Sequence, residues 1–142
     1  MERRNTKLLC LLSATVFGAA LAGCVDTRGT QSVVQAGPTT LQAVQVSVFT
    51  PRCAVSGCHV DGAPFGLDLR TGATAGNTIM VPSAEMPTLN RVTPFDATNS
   101  YLYMKVSGDP RILGDPMPAF GAPLSPQEVQ LIADWINAGA LE

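Results

Sequence analysis

The chain has a single histidine, His59, and four cysteines among its 142 residues. A structural zinc site needs four protein ligands, typically Cys or His. Assembling one here would require carboxylates as well. Aromatic residues make up 6% of the chain and charged residues 14%, against about 25% charged in a typical domain. No cluster of Lys and Arg follows Lys7, and the formal net charge is −2. Nucleic-acid binding, which rests on a concentrated basic surface, is thereby excluded. No repeat and no low-complexity block is present, and the length allows one domain.

The longest apolar run, Leu8 to Leu21, is broken only by Ser13, Thr15 and Gly18. It is shorter than the roughly 20 residues that span a bilayer. Arg3, Arg4 and Lys7 precede it, giving the charge layout of a secretory signal. The run closes on Leu21-Ala22-Gly23-Cys24, which resembles the lipobox of bacterial lipoproteins. That resemblance implies cleavage before Cys24, lipidation of Cys24, and an extracytoplasmic protein anchored to a bacterial membrane. Residues 1–23 are thus expected to be a signal peptide and 24–40 a flexible tether rich in Thr, Gln, Ser and Gly. A folded domain is expected over 41–142. The mature chain would carry six basic and ten acidic side chains, a formal charge of −4.

Within that domain the patterning is helical, with long loops rich in Gly and Pro. Leu41, Val44, Val48 and Phe49 recur at helical spacing behind Thr40, and Pro51 is expected to end that helix. Phe65 to Arg70 reads as a short extended piece, followed by an irregular middle. Asp96 or Thr98 is positioned to cap a helix bearing Leu102, Tyr103 and Val106, closed at Gly108-Asp109-Pro110. The clearest element starts at Ser125-Pro126-Gln127-Glu128. It has an N-cap serine, a first-turn proline and the glutamate of a capping box. Val129, Ile132, Ala133 and Ile136 then form one stripe, widened by Leu131 and Trp135. Gly139 stands where a left-handed residue closes a helix. The predicted fold class is mainly α.

One segment concentrates reactive side chains: Cys53-Ala54-Val55-Ser56-Gly57-Cys58-His59. Two thiols followed at once by an imidazole are what covalent haem attachment requires, although the usual spacing is C-x-x-C-H. Here the spacer has four residues, and Ser56-Gly57 allows the longer loop to bulge. The same cysteines could instead form a Cys53–Cys58 disulfide in an oxidising compartment, with His59 a bystander. A thiol oxidoreductase would want C-x-x-C in a βαβ setting, and neither is present. A Cys-His nucleophilic pair is disfavoured, because Cys58 and His59 are adjacent in the chain.

Met117 adds a further donor. It lies between Pro116 and Pro118, in a loop shortly before the Ser125 cap. A proline-stiffened thioether suits an axial ligand, while a core-filling role is the ordinary alternative. Met104 is expected to pack in the core, and Met80 and Met86 are weaker ligand candidates.

The order of these features resembles class I cytochrome c domains, especially small ones in secreted and lipid-anchored bacterial proteins. The matching residues are Phe49, Pro51, Cys53, Cys58, His59, Gly66-Leu67-Asp68-Leu69, Asn99-Ser100-Tyr101-Leu102, Met117-Pro118, Leu124-Ser125, Glu128, Ile132 and Trp135-Ile136-Asn137-Ala138-Gly139-Ala140. They span about 95 residues. The resemblance implies a cytochrome c-like fold and one haem c, with thioether links at Cys53 and Cys58 and iron ligation by His59 and Met117. It implies electron transfer with redox partner proteins rather than an enzyme, since a lone histidine offers no distal catalytic set. The alternative is a haem-free, lipid-anchored structural or interaction domain stapled by the disulfide. Seven aromatics are few for a core of this size. Small domains often add a metal or a covalent staple, and a porphyrin or a disulfide would serve.

Overall fold

A computed structural model describes residues 39–142 except Gly62. The expected signal segment, Cys24 and nearly all of the expected tether lie outside the described residues. Among the described residues the fold is helical. Four α-helices are present: α1 (Leu41–Val44), α2 (Thr74–Thr78), α3 (Tyr101–Ser107) and α4 (Pro126–Asn137). Extended backbone pairs only at two isolated bridges, Ile79 with Val92 and Pro82 with Asn90. No described helix is long and apolar enough to cross a membrane.

The first helix does not stop at Pro51. Instead α1 passes into a π-helix, Gln45–Cys53, which contains the proline. In an α-helix the pyrrolidine ring of Pro51 would strike the carbonyl four residues back. The wider i→i+5 register moves that carbonyl away, and Ala54 N–H closes the helix on Phe49 O at 2.7 Å. Two more residues are thereby carried in helical form, and Cys53 is delivered to the core at the helix end. π-turns of this kind are frequent at functional sites.

Helix α4 is built as its sequence dictates. Glu128 N–H donates to Ser125 Oγ at 3.3 Å, and Ser125 N–H donates to Glu128 Oε2 at 2.6 Å. These bonds hold the Glu128 carboxyl below the usual glutamate range. Replacing Ser125 with alanine should cost about 1 kcal/mol. In a domain of this size, thermal unfolding would register that as a fall of about 4–8 °C. Past the helix, Gly139 adopts φ +102°, and a Cβ there would come within 2.7 Å of the Phe95 ring. Only glycine meets both conditions.

Apolar faces of α1, the π-helix and α4 form the core, with Val44, Val48, Phe49, Ile132, Trp135 and Ile136 all buried. The Phe49 and Trp135 rings meet edge to face, 6.0 Å between centroids at 82°, a favoured aromatic geometry. The Leu141 carbonyl accepts both Trp135 Nε1–H at 3.0 Å and Leu41 N–H at 2.7 Å. One oxygen therefore joins the chain end to the start of α1 and the middle of the core.

Elsewhere the structure corrects the local expectations. Asp96 caps a 3-10 turn, Ala97–Asn99, rather than α3. Ser100 takes the N-cap position of α3, and its hydroxyl bonds back to Asp96 O and Thr93 N–H. The irregular middle contains α2, whose Thr74 and Thr78 are buried. Its hydroxyl-bearing inner face hides it from a search for apolar periodicity. The piece from Phe65 to Arg70 opens as part of a 3-10 turn, Pro64–Gly66, and turns extended only at Leu67.

Candidate haem-binding cleft

The π-helix ends at Cys53, and the chain then folds back on itself through main-chain bonds. Cys58 N–H donates to Val55 O at 2.9 Å, and His59 N–H donates to Cys53 O at 3.0 Å. Gly57, at φ +82°, makes the reversal. This loop is closed by the backbone rather than by sulfur. Cys53 and Cys58 are both free thiols, so the disulfide held open by the sequence is not formed in this structure. Cys53 is buried, and burial pushes its thiol up to about 11.

His59 is half-buried, and its Nδ1–H donates to Leu67 O at 3.2 Å. That bond fixes the tautomer and leaves the Nε2 lone pair free for a metal. Burial lowers the imidazole pKa, opposed by the Leu67 bond and assisted by the nearby Arg91 charge. The ring is thus kept in its neutral, ligating form. The Leu67 carbonyl is itself held in place. Leu69 N–H donates to His59 O at 3.0 Å, and the buried Gln45 amide donates to Leu69 O at 2.8 Å. Arg91 grips the adjoining turn through Phe65 O at 2.6 Å and spans to Asn77 O at 2.7 Å.

On a separate segment, Met117 N–H donates to Lys105 O on α3 at 2.8 Å. Cys53, Cys58, His59 and Met117 all line one cleft of about 430 Å³. That volume falls in the range of pockets that hold organic prosthetic groups, about 300–1,000 Å³. The walls are largely apolar, and three large side chains on the rim, Val55, Phe65 and Phe120, are exposed. Among the described residues, Met117 is the only methionine in the lining. Met104 is buried in α3, Met80 is exposed, and Met86 lies outside the cleft.

The donor set is informative about what such a cleft could hold. Among the described residues, no three His, Cys, Asp or Glu side chains converge on a common metal position. Cys53 and Cys58 line the cleft but do not converge with His59 on one metal position, so His59 and Met117 alone would leave a bare ion short of ligands. A porphyrin brings four nitrogens of its own and needs from the protein only axial donors and an apolar slot. The residues present fit that group.

Arg52, beside Cys53, reaches across the molecule. Its guanidinium donates to Ala122 O at 2.8 Å and Pro123 O at 3.1 Å, and pairs with Glu128 at 3.3 Å. The cysteine loop and the segment after Met117 are thereby tied together. Three further lining residues escaped the sequence reading: Lys105, Glu85 and Arg91. For Lys105 a signal existed, since it follows Tyr101 by four positions and so shares that residue's buried helix face. Arg91 carried no comparable signal. No protein-family profile, no curated protein and no solved structure matches the chain.

Proposed function

We propose that this chain is a cytochrome c-like electron-transfer protein, exported and anchored through a lipid at Cys24, with one covalently bound haem c. One observation carries the reading. Cys53, Cys58 and His59 share a single apolar cleft with Met117, which lies nearly sixty residues further along the chain. When bound, the group supplies a one-electron ferric–ferrous couple.

The chain's own residues would do the rest. Each thiol of Cys53 and Cys58 would add across a vinyl double bond, forming a C–S and a C–H bond with no leaving group. His59 offers Nε2 from one wall, in the tautomer that Leu67 fixes. Met117 would supply its thioether as the other ligand, and His/Met ligation would raise the reduction potential. The apolar lining excludes water, which favours the less charged ferrous state. Val55, Phe65 and Phe120 find an apolar partner in the same cleft. The mature charge of −4 favours redox partner proteins with basic docking surfaces. No catalytic residue is assigned, because the cleft offers no second imidazole for substrate chemistry.

Expression of the full chain in a host that matures c-type cytochromes tests this directly. The purified protein should be coloured, show an α-band on reduction, and keep its pigment through acid–acetone extraction. A colourless product would sink the haem reading in favour of a structural or interaction module. Extractable pigment would overturn only the covalent links.

A further inference from the structure

Met117 sits on a segment with no regular structure and little apolar anchoring: Gly114, Asp115 and Pro116 are exposed, and Leu113 is 52% exposed. Polar bonds to one turn of α3 hold it instead. Lys105 Nζ donates to Leu113 O at 2.8 Å, and Lys105 O accepts from Met117 N–H. Tyr101 Oη accepts from Leu113 N–H at 3.0 Å. A single lysine therefore grips both ends of the loop, through its side chain at 113 and its backbone at 117.

Lys105 is only 7% exposed, an unusual setting for an ammonium group, whose burial is costly unless it is paired. Here the charge is satisfied on three sides. Glu85 lies 3.1 Å away, the Leu113 carbonyl accepts a bond, and the Tyr101 ring centroid is 5.8 Å off. Lys105, Glu85 and Tyr101 all line the cleft. A part-buried ion pair thus fixes one irregular loop, and that loop carries Met117, which lines the cleft.

We propose that Lys105 is the positioning residue for Met117, held in its own orientation by Glu85, and that this grip sets how readily the Met117 side of the cleft opens. The grip is a property of the polypeptide. Its consequence for ligation rests on the haem reading, so the two are tested by separate measurements.

Amide hydrogen exchange on the purified full chain tests the grip with or without pigment. In Lys105→Met, exchange at Leu113 and Met117 should quicken by about tenfold, the scale of losing a charged hydrogen bond. Amides of α4 serve as the internal reference and should not change. Lys105→Arg keeps the charge and the donors and should restore slow exchange. Should Lys105→Met fail to fold, Glu85→Gln is the second variant. It frees the ammonium on one side and should give a smaller acceleration at the same two amides. Unchanged exchange at Leu113 and Met117 in the variant that folds overturns the proposal.

Imidazole, added to the ferric pigmented protein, reads the consequence. Lys105→Met should bind it about tenfold more tightly than the parent chain, with its reduced α-band intact, by the same loss of restraint. Equal imidazole affinity beside faster exchange would overturn the link to ligation while leaving the grip. Absence of an α-band in the parent chain would instead count against the haem reading, and the exchange result would still decide on Lys105.

Discussion

Full-length His59→Ala, produced in a cytochrome-maturing host, should emerge almost without the α-band expected of the parent chain. His59 is the sole imidazole, so no neighbour can substitute for it. Loss of a supporting partner in a metal site costs about 10–100-fold in affinity, and loss of a ligand itself should exceed that. The substitution should leave the fold in place. His59 is half-buried and makes one side-chain bond, to Leu67 O, worth about 1 kcal/mol net. Circular dichroism of the variant should accordingly match the parent. A full α-band in His59→Ala would overturn the assignment of the proximal donor.

Trp135→Ala should have the largest effect on stability. Trp135 is fully buried, meets Phe49 edge to face, and donates to the Leu141 carbonyl that also receives Leu41 N–H. Removing a buried tryptophan costs about 3–5 kcal/mol, against a total stability of about 5–15 kcal/mol for a domain. Urea denaturation should show the midpoint falling by a third or more, to the edge of folding. Trp135→Phe keeps an aromatic edge and leaves Leu141 O still paired with Leu41 N–H, so its loss should be clearly smaller. Equal losses in the two variants would mean that the indole N–H, rather than the ring, carries the effect.

How much of this could be read in advance differed from element to element. Helix α4 was legible throughout, because Ser125, Pro126, Glu128 and the Ile132–Ile136 stripe each act locally. That Met117 would share a site with Cys53, Cys58 and His59 was expected from the resemblance alone, core filling being its ordinary alternative; the four residues line one cleft. The continuation of the first helix through Pro51 was not legible, since the sequence carries no mark of a change from α to π register. Helix α2 stayed hidden because its buried face is made of Thr74 and Thr78, whose hydroxyls bond to Gln45 and to the helix backbone. The residues that aim His59 and Met117 were the least visible. Gln45 and Arg91 act through the carbonyls of Leu69 and Phe65, 24 and 26 positions away, and no local pattern records such bonds; for Lys105 only the helix face it shares with Tyr101 was a mark.

The meeting of Phe49 with Trp135 also bears on the order of events as the chain is made. These rings stand 86 positions apart in the sequence, and α4 follows the Cys53–His59 loop in the chain. Contacts of such long range are slow to form and bring no gain until their loop is closed. A chain lacking its last fifteen residues can bury neither ring against the other. Until α4 docks, the core around Cys53 lacks its Ile132, Trp135 and Ile136 wall, and that thiol stays more reachable than in the folded chain. Full burial of that sulfur thus depends on the docking of α4.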